Sequence, residues 1–236
     1  MPSLHERDRR YAALRAMMHA QGWQALILAG NAEATQRGYV RYVSDWRLWG
    51  GQGVAVLPLE GEPALVLGAG SQSYWSKLVG WIDDVRPAQN MLNTVGEIIR
   101  ALGLAHGEIG VAGMGQVMVY DDLLALQRGL SNARLIDATT AVDNVMAIRS
   151  SEEIAMQAES YRAVAQAHAR LEQAFRPGCS ERAAMAEAMQ VLAELGCLDG
   201  IAHLTNGVRP FFRPPTDRLI SADDIIKVSL EFAGPS

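Results

Sequence analysis

The chain has 236 residues, of which 49% are hydrophobic and 20% charged, with a formal net charge of −5 and a pI near 5.6. That balance suits one large or two ordinary globular domains, and its acidity excludes a general binder of nucleic acid or anionic membrane, which needs clustered cations. No apolar run approaches the roughly 20 residues a membrane-crossing helix requires, and the mixed-charge start from Met1 to Asp8 carries no secretion signal. The two cysteines, Cys179 and Cys197, make no spaced framework, which fits a reducing cytoplasm.

In chain order, Ser3 and Glu6 form a capping box that opens a helix running to Gly22, with Leu4, Tyr11, Leu14, Met17 and Met18 as its apolar stripe. A short buried-type strand follows at 25–28. Trp46, Arg47, Leu48 and Trp49 then precede Gly50 and Gly51 as an aromatic, basic loop; its tryptophans read either as core or as an exposed contact. Residues 54–57 and 64–67 read as a hairpin through Glu60-Gly61-Glu62-Pro63. Next come a helix over 71–78, a strand over 82–85, and a helix over 90–102 whose Leu92, Val95, Ile98, Ile99 and Leu102 repeat at helical spacing. A strand over 109–112, a helix over 121–129 and a strand over 133–136 complete an alternating α/β half. The glycines of Gly110-Val111-Ala112-Gly113-Met114-Gly115 reverse the spacing of a dinucleotide fingerprint and read as a turn.

Residues 138–149 form a short helix or linker. Ser150 and Glu153 make a second capping box for a long helix, with Ile154, Ala158, Tyr161, Ala165, His168 and Phe175 at helical spacing. Arg176-Pro177-Gly178 ends it, and Ser180 starts another helix with Ala184, Met185, Ala188, Leu192 and Leu195 inside. The last segment is a Pro-stiffened loop, a turn at 221–224 and a strand. Alternation puts Ile226, Val228, Leu230 and Phe232 on a buried face and Lys227, Ser229 and Glu231 on the other. The chain stops four residues after Phe232, so a partner, or further chain, is expected to cover this strand.

Several blocks carry a resemblance. Arg41-Tyr42-Val43-Ser44-Asp45-Trp46, Met146 to Ile154, Arg176-Pro177-Gly178-Cys179-Ser180-Glu181 and Pro215-Thr216-Asp217-Arg218 with Asp224-Ile225-Ile226 occur in order. They resemble the creatinase / aminopeptidase P / prolidase (Xaa-Pro peptidase) family, with Asp45 where that family has glycine. The resemblance implies an α/β architecture: a creatinase-type N-terminal domain with a mixed sheet over residues 1–137, then the first half of an α+β pita-bread catalytic domain over 138–236, the C-terminal half being missing. It implies a cytoplasmic hydrolase of C–N bonds, acting on a small-molecule or peptide substrate as a homodimer.

The same resemblance locates the departures. The family's proton-handling histidine falls on Phe212, and its first metal-binding Asp falls on Ser229, flanked on the same face by Lys227 and by Glu231 about 6.5–7 Å along the strand. A hydroxyl beside an ammonium is a poor ligand set for the two divalent ions such peptidases hold. No cofactor is therefore expected, with Mn or Zn as the alternative if a longer chain rescues the site through Glu231. His203 is the candidate substitute proton carrier, and Arg209 and Arg213 are candidate grips for a substrate carboxylate, against a plain solvated basic loop. Trp49 is a candidate substrate gate or dimer contact. His5, His19 and His106 read as solvent-facing and His168 as a core residue. Three functions stay open: a divergent peptidase-like hydrolase, a metal-independent creatinase-like amidinohydrolase, and a non-catalytic ligand-binding or dimerising relative. Residues 1–236 alone are expected to be inactive.

Overall fold

The computed structural model describes residues 2–33, 38–68, 70–208 and 211–234. They divide into two compact units, residues 1–149 and 150–236.

The first unit begins with α1 (Leu4–Gln21), capped by the Ser3 hydroxyl, which accepts from the Glu6 amide, and closed by Gly22 at φ 75°. Tyr11, Leu14 and Met18 of its stripe are buried, but Leu4 is exposed. The first turn lies at the edge of the core. There follow β1 (Ala25–Asn31), α2 (Gly38–Ser44), β2 (Gln52–Pro58), β3 (Ala64–Leu67), α3 (Gly70–Val79), β4 (Asp84–Pro87) and α4 (Met91–Ala101). The unit ends with β5 (Glu108–Ala112), α5 (Tyr120–Gly129), β6 (Arg134–Asp137) and α6 (Thr139–Ala147). The strands form one mixed sheet in the order β4-β3-β2-β1-β5-β6. β1–β2 and β2–β3 are antiparallel and the other pairs parallel.

Alternation along the strands divides the core in two. Leu26, Leu28, Ala55, Leu57, Leu65 and Leu67 face α1, α2 and α6. Ala25, Ile27, Val54, Val56, Ala64 and Val66 face α4 and α5. Both faces are covered, which is why β1 to β3 read as continuous apolar runs rather than alternating ones. The sequence expectation ended this domain at residue 137; the compact unit runs to Arg149 instead. Ala138 and Val142 of the next segment are fully buried against α1 and the sheet, so α6 belongs to the first core. β4 also lies two residues later than expected, because Ile82 enters the core from the preceding loop.

Two features of this unit depart from ordinary patterning. In α3 the buried residues are Gln72, Ser73 and Ser76, while Tyr74, Trp75, Leu78 and Val79 are exposed. Gln72 bridges to the neighbouring loop, accepting from the Trp49 amide at 3.3 Å and donating to the Gly50 carbonyl at 2.8 Å. Asp45 follows α2 with φ 50°, the left-handed conformation that glycine adopts cheaply at a helix end. Burial pushes its carboxyl up to about 6, with Arg41 and Arg10 pulling the other way. An unfolded Asp titrates near ~3.9, so this residue costs stability as pH rises from there through about 6. Asp45→Gly is expected to raise stability by about 1 kcal/mol at pH 7 and by less at pH 4. Denaturant unfolding at the two pH values measures this; a loss of stability at pH 7 contradicts it.

The second unit contains α7 (Ser151–Ala174), α8 (Glu181–Glu194), β7 (Gly200–Gly207) and β8 (Ile225–Phe232). The Ser150–Glu153 capping box forms in both directions. The buried seam of α7 is Ala163, Ala167, Leu171 and Ala174, packed on Ala184, Met185, Ala188 and Leu192 of α8. The expected stripe is corrected: Ile154, Ala158, Tyr161, Ala165 and His168 are exposed. Alanines let the two helices approach closely, so the small-residue face wins the interior over the bulkier one. β7 and β8 pair antiparallel, with Leu204 opposite Val228 and His203 opposite Ser229. Ile226, Val228, Leu230 and Phe232 pack against the helical core as alternation requires. β7 had no sequence expectation. Among the described residues no helix is long and apolar enough to cross a membrane.

Candidate functional site

The loop between β7 and β8 is stitched onto the start of α8. Gly178 N–H donates to the Ile220 carbonyl at 2.9 Å, Ile220 N–H to Cys179 at 2.8 Å, Glu181 N–H to Arg218 at 3.0 Å and Arg182 N–H to Thr216 at 2.9 Å. At the centre stands Glu181, whose side chain is 0% exposed. Its carboxylate accepts both prongs of the Arg213 guanidinium at 2.7 and 2.8 Å, the Thr216 amide at 2.9 Å and hydroxyl at 2.8 Å, and the Asn206 amide at 2.9 Å. Burial alone raises a carboxyl pKa, but these bonds outweigh it and hold Glu181 at about 2. The Asn206 side chain donates to the Leu219 carbonyl at 3.0 Å and to Asp224, tying the loop to the strand that follows. The Ser221 amide and Asn206 keep the Asp224 carboxyl below its ordinary range.

This lock reassigns one residue. Arg213, expected to grip a substrate carboxylate, already grips Glu181 with both prongs, so it positions the loop. Arg209 lies outside the described residues.

Beside the lock, the open face of the β7–β8 ribbon carries Lys227, Ser229 and Glu231 from one strand and Ile201, His203 and Thr205 directly opposite on the other. The Ser229 hydroxyl donates to Glu231 Oε1 at 2.7 Å. The Lys227 ammonium sits 3.9 Å from the centroid of the Phe212 ring, which also approaches the His203 ring at 6.2 Å. Phe212, His203, Ser229 and Glu231 thus lie on or against one face of the ribbon. Thr205 joins them unannounced: it is 2% exposed, and its Oγ1 has no hydrogen-bond partner among the described residues.

Among the described residues, the donors on this face are one carboxylate, one imidazole and hydroxyls, with an ammonium beside them. Ser229 is neutral and already bonded to the nearest carboxylate, and an ammonium shares its face. Among the described residues no three or more His, Cys, Asp or Glu side chains cluster in metal-binding geometry.

The other expected sites lie elsewhere. Trp49 is 55% exposed in the first unit, edge-on to the buried Trp46 at 5.0 Å. His168 is solvent-facing rather than core, 3.4 Å from Glu172. At the glycine cluster, the amides of Gln116, Val117 and Met118 all donate to the Gly113 carbonyl. That local turn, rather than a ligand, takes up those donors.

No family model and no curated protein sequence matches the chain. Solved structures do. The X-Pro aminopeptidase from Thermotoga maritima MSB8 superposes with a TM-score of 0.82 at 14% identity, over 95% of this chain and 61% of that one. The prolidase from Pyrococcus horikoshii OT3 gives 0.73 at 17% identity, over 95% and 60%. The Xaa-Pro dipeptidase from Bacillus anthracis gives 0.71 at 17% identity, over 97% and 61%. The chain therefore has the creatinase / pita-bread type of fold, an α/β domain with a mixed sheet followed by part of a second, α+β domain. It spans about three-fifths of the length of these Xaa-Pro peptidase structures. The sequence resemblance holds at the level of the fold.

Proposed function

We propose that this chain is a divergent member of the Xaa-Pro peptidase family, related to hydrolases of C–N bonds, whose β7–β8 face recognises a small-molecule or peptide ligand without a two-metal centre. The observation that carries this reading is the Ser229–Glu231 hydrogen bond beside Lys227, at the position where the family resemblance implies a metal-binding carboxylate. A neutral hydroxyl and a nearby ammonium oppose a dication, and the Phe212 ring cannot exchange a proton. His203, opposite Ser229, puts an imidazole on the face, which keeps a metal-independent amidinohydrolase as the second reading.

Purified chain incubated with Xaa-Pro dipeptides and Mn(II) is expected to show no turnover. Mn-dependent hydrolysis that disappears in Glu231→Gln would overturn the proposal. A homodimer engaging the exposed Trp49 loop, and a cytoplasmic location, are proposed alongside; a monomeric mass in solution removes the first.

A further inference from the structure

Three groups on the β7–β8 face are left over once the fold is accounted for. Lys227 has no carboxylate partner among the described residues, and its ammonium rests on the Phe212 ring at 3.9 Å. Thr205, directly across the ladder from Lys227, projects from the same face and buries a hydroxyl with no partner. Phe212 itself is 55% exposed, a large apolar ring held against polar neighbours rather than in a core.

An ammonium that rests on a ring instead of an anion, with an orphaned hydroxyl opposite it on the ladder, describes an anion site occupied by a placeholder. The ring's electron-rich face stands in for negative charge. The geometry points to a carboxylate-binding site: a small monocarboxylate with an apolar body enters between Lys227 and Thr205, accepting from Nζ and Oγ1, while the displaced Phe212 ring lies along that body. A charge-assisted hydrogen bond is stronger than the exposed cation–π contact it replaces. Arg213, the next residue, is pinned to Glu181, so the exchange needs rotation of the Phe212 side chain and leaves the loop in place. Glu231 on the same face offsets the charge of Lys227, which favours a monoanion over a dianion such as phosphate.

This inference rests on reading the face as a recognition surface. The test titrates the full chain, carrying 13C-labelled phenylalanine, with benzoate, acetate and inorganic phosphate. A saturable shift of the Phe212 ring resonance, assigned through Phe212→Leu, is expected with benzoate, and weaker binding with acetate. Lys227→Met is expected to weaken benzoate at least tenfold. Thr205→Val, which keeps the side-chain shape, is expected to weaken it severalfold and reports even if Lys227→Met is unstable. No saturable shift, undiminished binding in both variants, or tighter binding of phosphate would each overturn the site. Failure here with no Mn-dependent hydrolysis leaves the proposed function standing; Mn-dependent hydrolysis removes that function whatever benzoate does.

Discussion

Replacing Glu181 with alanine is expected to lower the stability of the second unit by about 3 kcal/mol. The reason is the number of donors that depend on one carboxylate. The substitution strands the guanidinium of Arg213, the amides of Thr216 and Asn206 and the Thr216 hydroxyl at once. The guanidinium is partly exposed and recovers some hydration, while the Asn206 amide is buried and recovers none. The pH response has a definite sign. An unfolded Glu titrates near ~4.3 and the folded group at about 2, so its contribution is complete above the first value and lost as pH falls through the second. Glu181→Gln should therefore unfold at lower denaturant at neutral pH and show a flatter acid limb than the native chain. Equal denaturation midpoints for the two proteins at pH 7 would show that the loop is held by something else.

The second large effect is a gain. Ser229→Asp combined with Lys227→Met is expected to give the chain a saturable response to divalent ions. It places two carboxylates two residues apart on one strand face, with the His203 imidazole across the ladder, and removes the opposing ammonium. Oxygen and imidazole donors of that kind suit Mn or Zn. Mn(II) at a hundred times its Kd should stabilise the double variant by about 2.7 kcal/mol, read as a rise in Tm. Without metal the paired carboxylates should cost about 0.5 kcal/mol. A saturable Mn-dependent rise in the native chain would mean that Ser229 and Glu231 already hold an ion. No rise in the double variant would mean that the face lacks the spacing a metal needs.

Much of the architecture was legible before the structure. The mixed-sheet unit follows from apolar runs such as Ala25 to Leu28, from the hairpin punctuation at Glu60 to Pro63 and from the cap at Ser3, and the two helices of the second unit from Ser150 and Ser180. The polar face of β8 was legible too, since alternation alone separates Lys227, Ser229 and Glu231 from the apolar set. Asp45 drew notice only as a substitution for glycine, and its φ of 50° gives the physical meaning of that slot.

The misreadings share a cause. Helical spacing counted from Ile154 put Tyr161 inside α7, whereas close helix packing selected the stripe of Ala163, Ala167, Leu171 and Ala174. Arg213 looked available because its partner, Glu181, lies 32 residues earlier. The one available signal was the co-occurrence of the Arg176-to-Glu181 block with Pro215-Thr216-Asp217-Arg218, two segments the structure joins edge to edge. Thr205 gave no signal, being a hydroxyl in a segment with no strand assigned to it.

The sequence by itself determined the elements, because capping, periodicity and turn chemistry act within a few residues of one another. It also determined the chemical types at the family's key positions: phenyl where an imidazole is implied, hydroxyl where a carboxylate is. Only the tertiary structure decided which charges are occupied and which are free, since pairing Arg213 with Glu181 and setting Thr205 opposite Lys227 depend on strand register and loop closure across tens of residues. Such contacts form between segments whose local preferences are already satisfied, so nothing local records them.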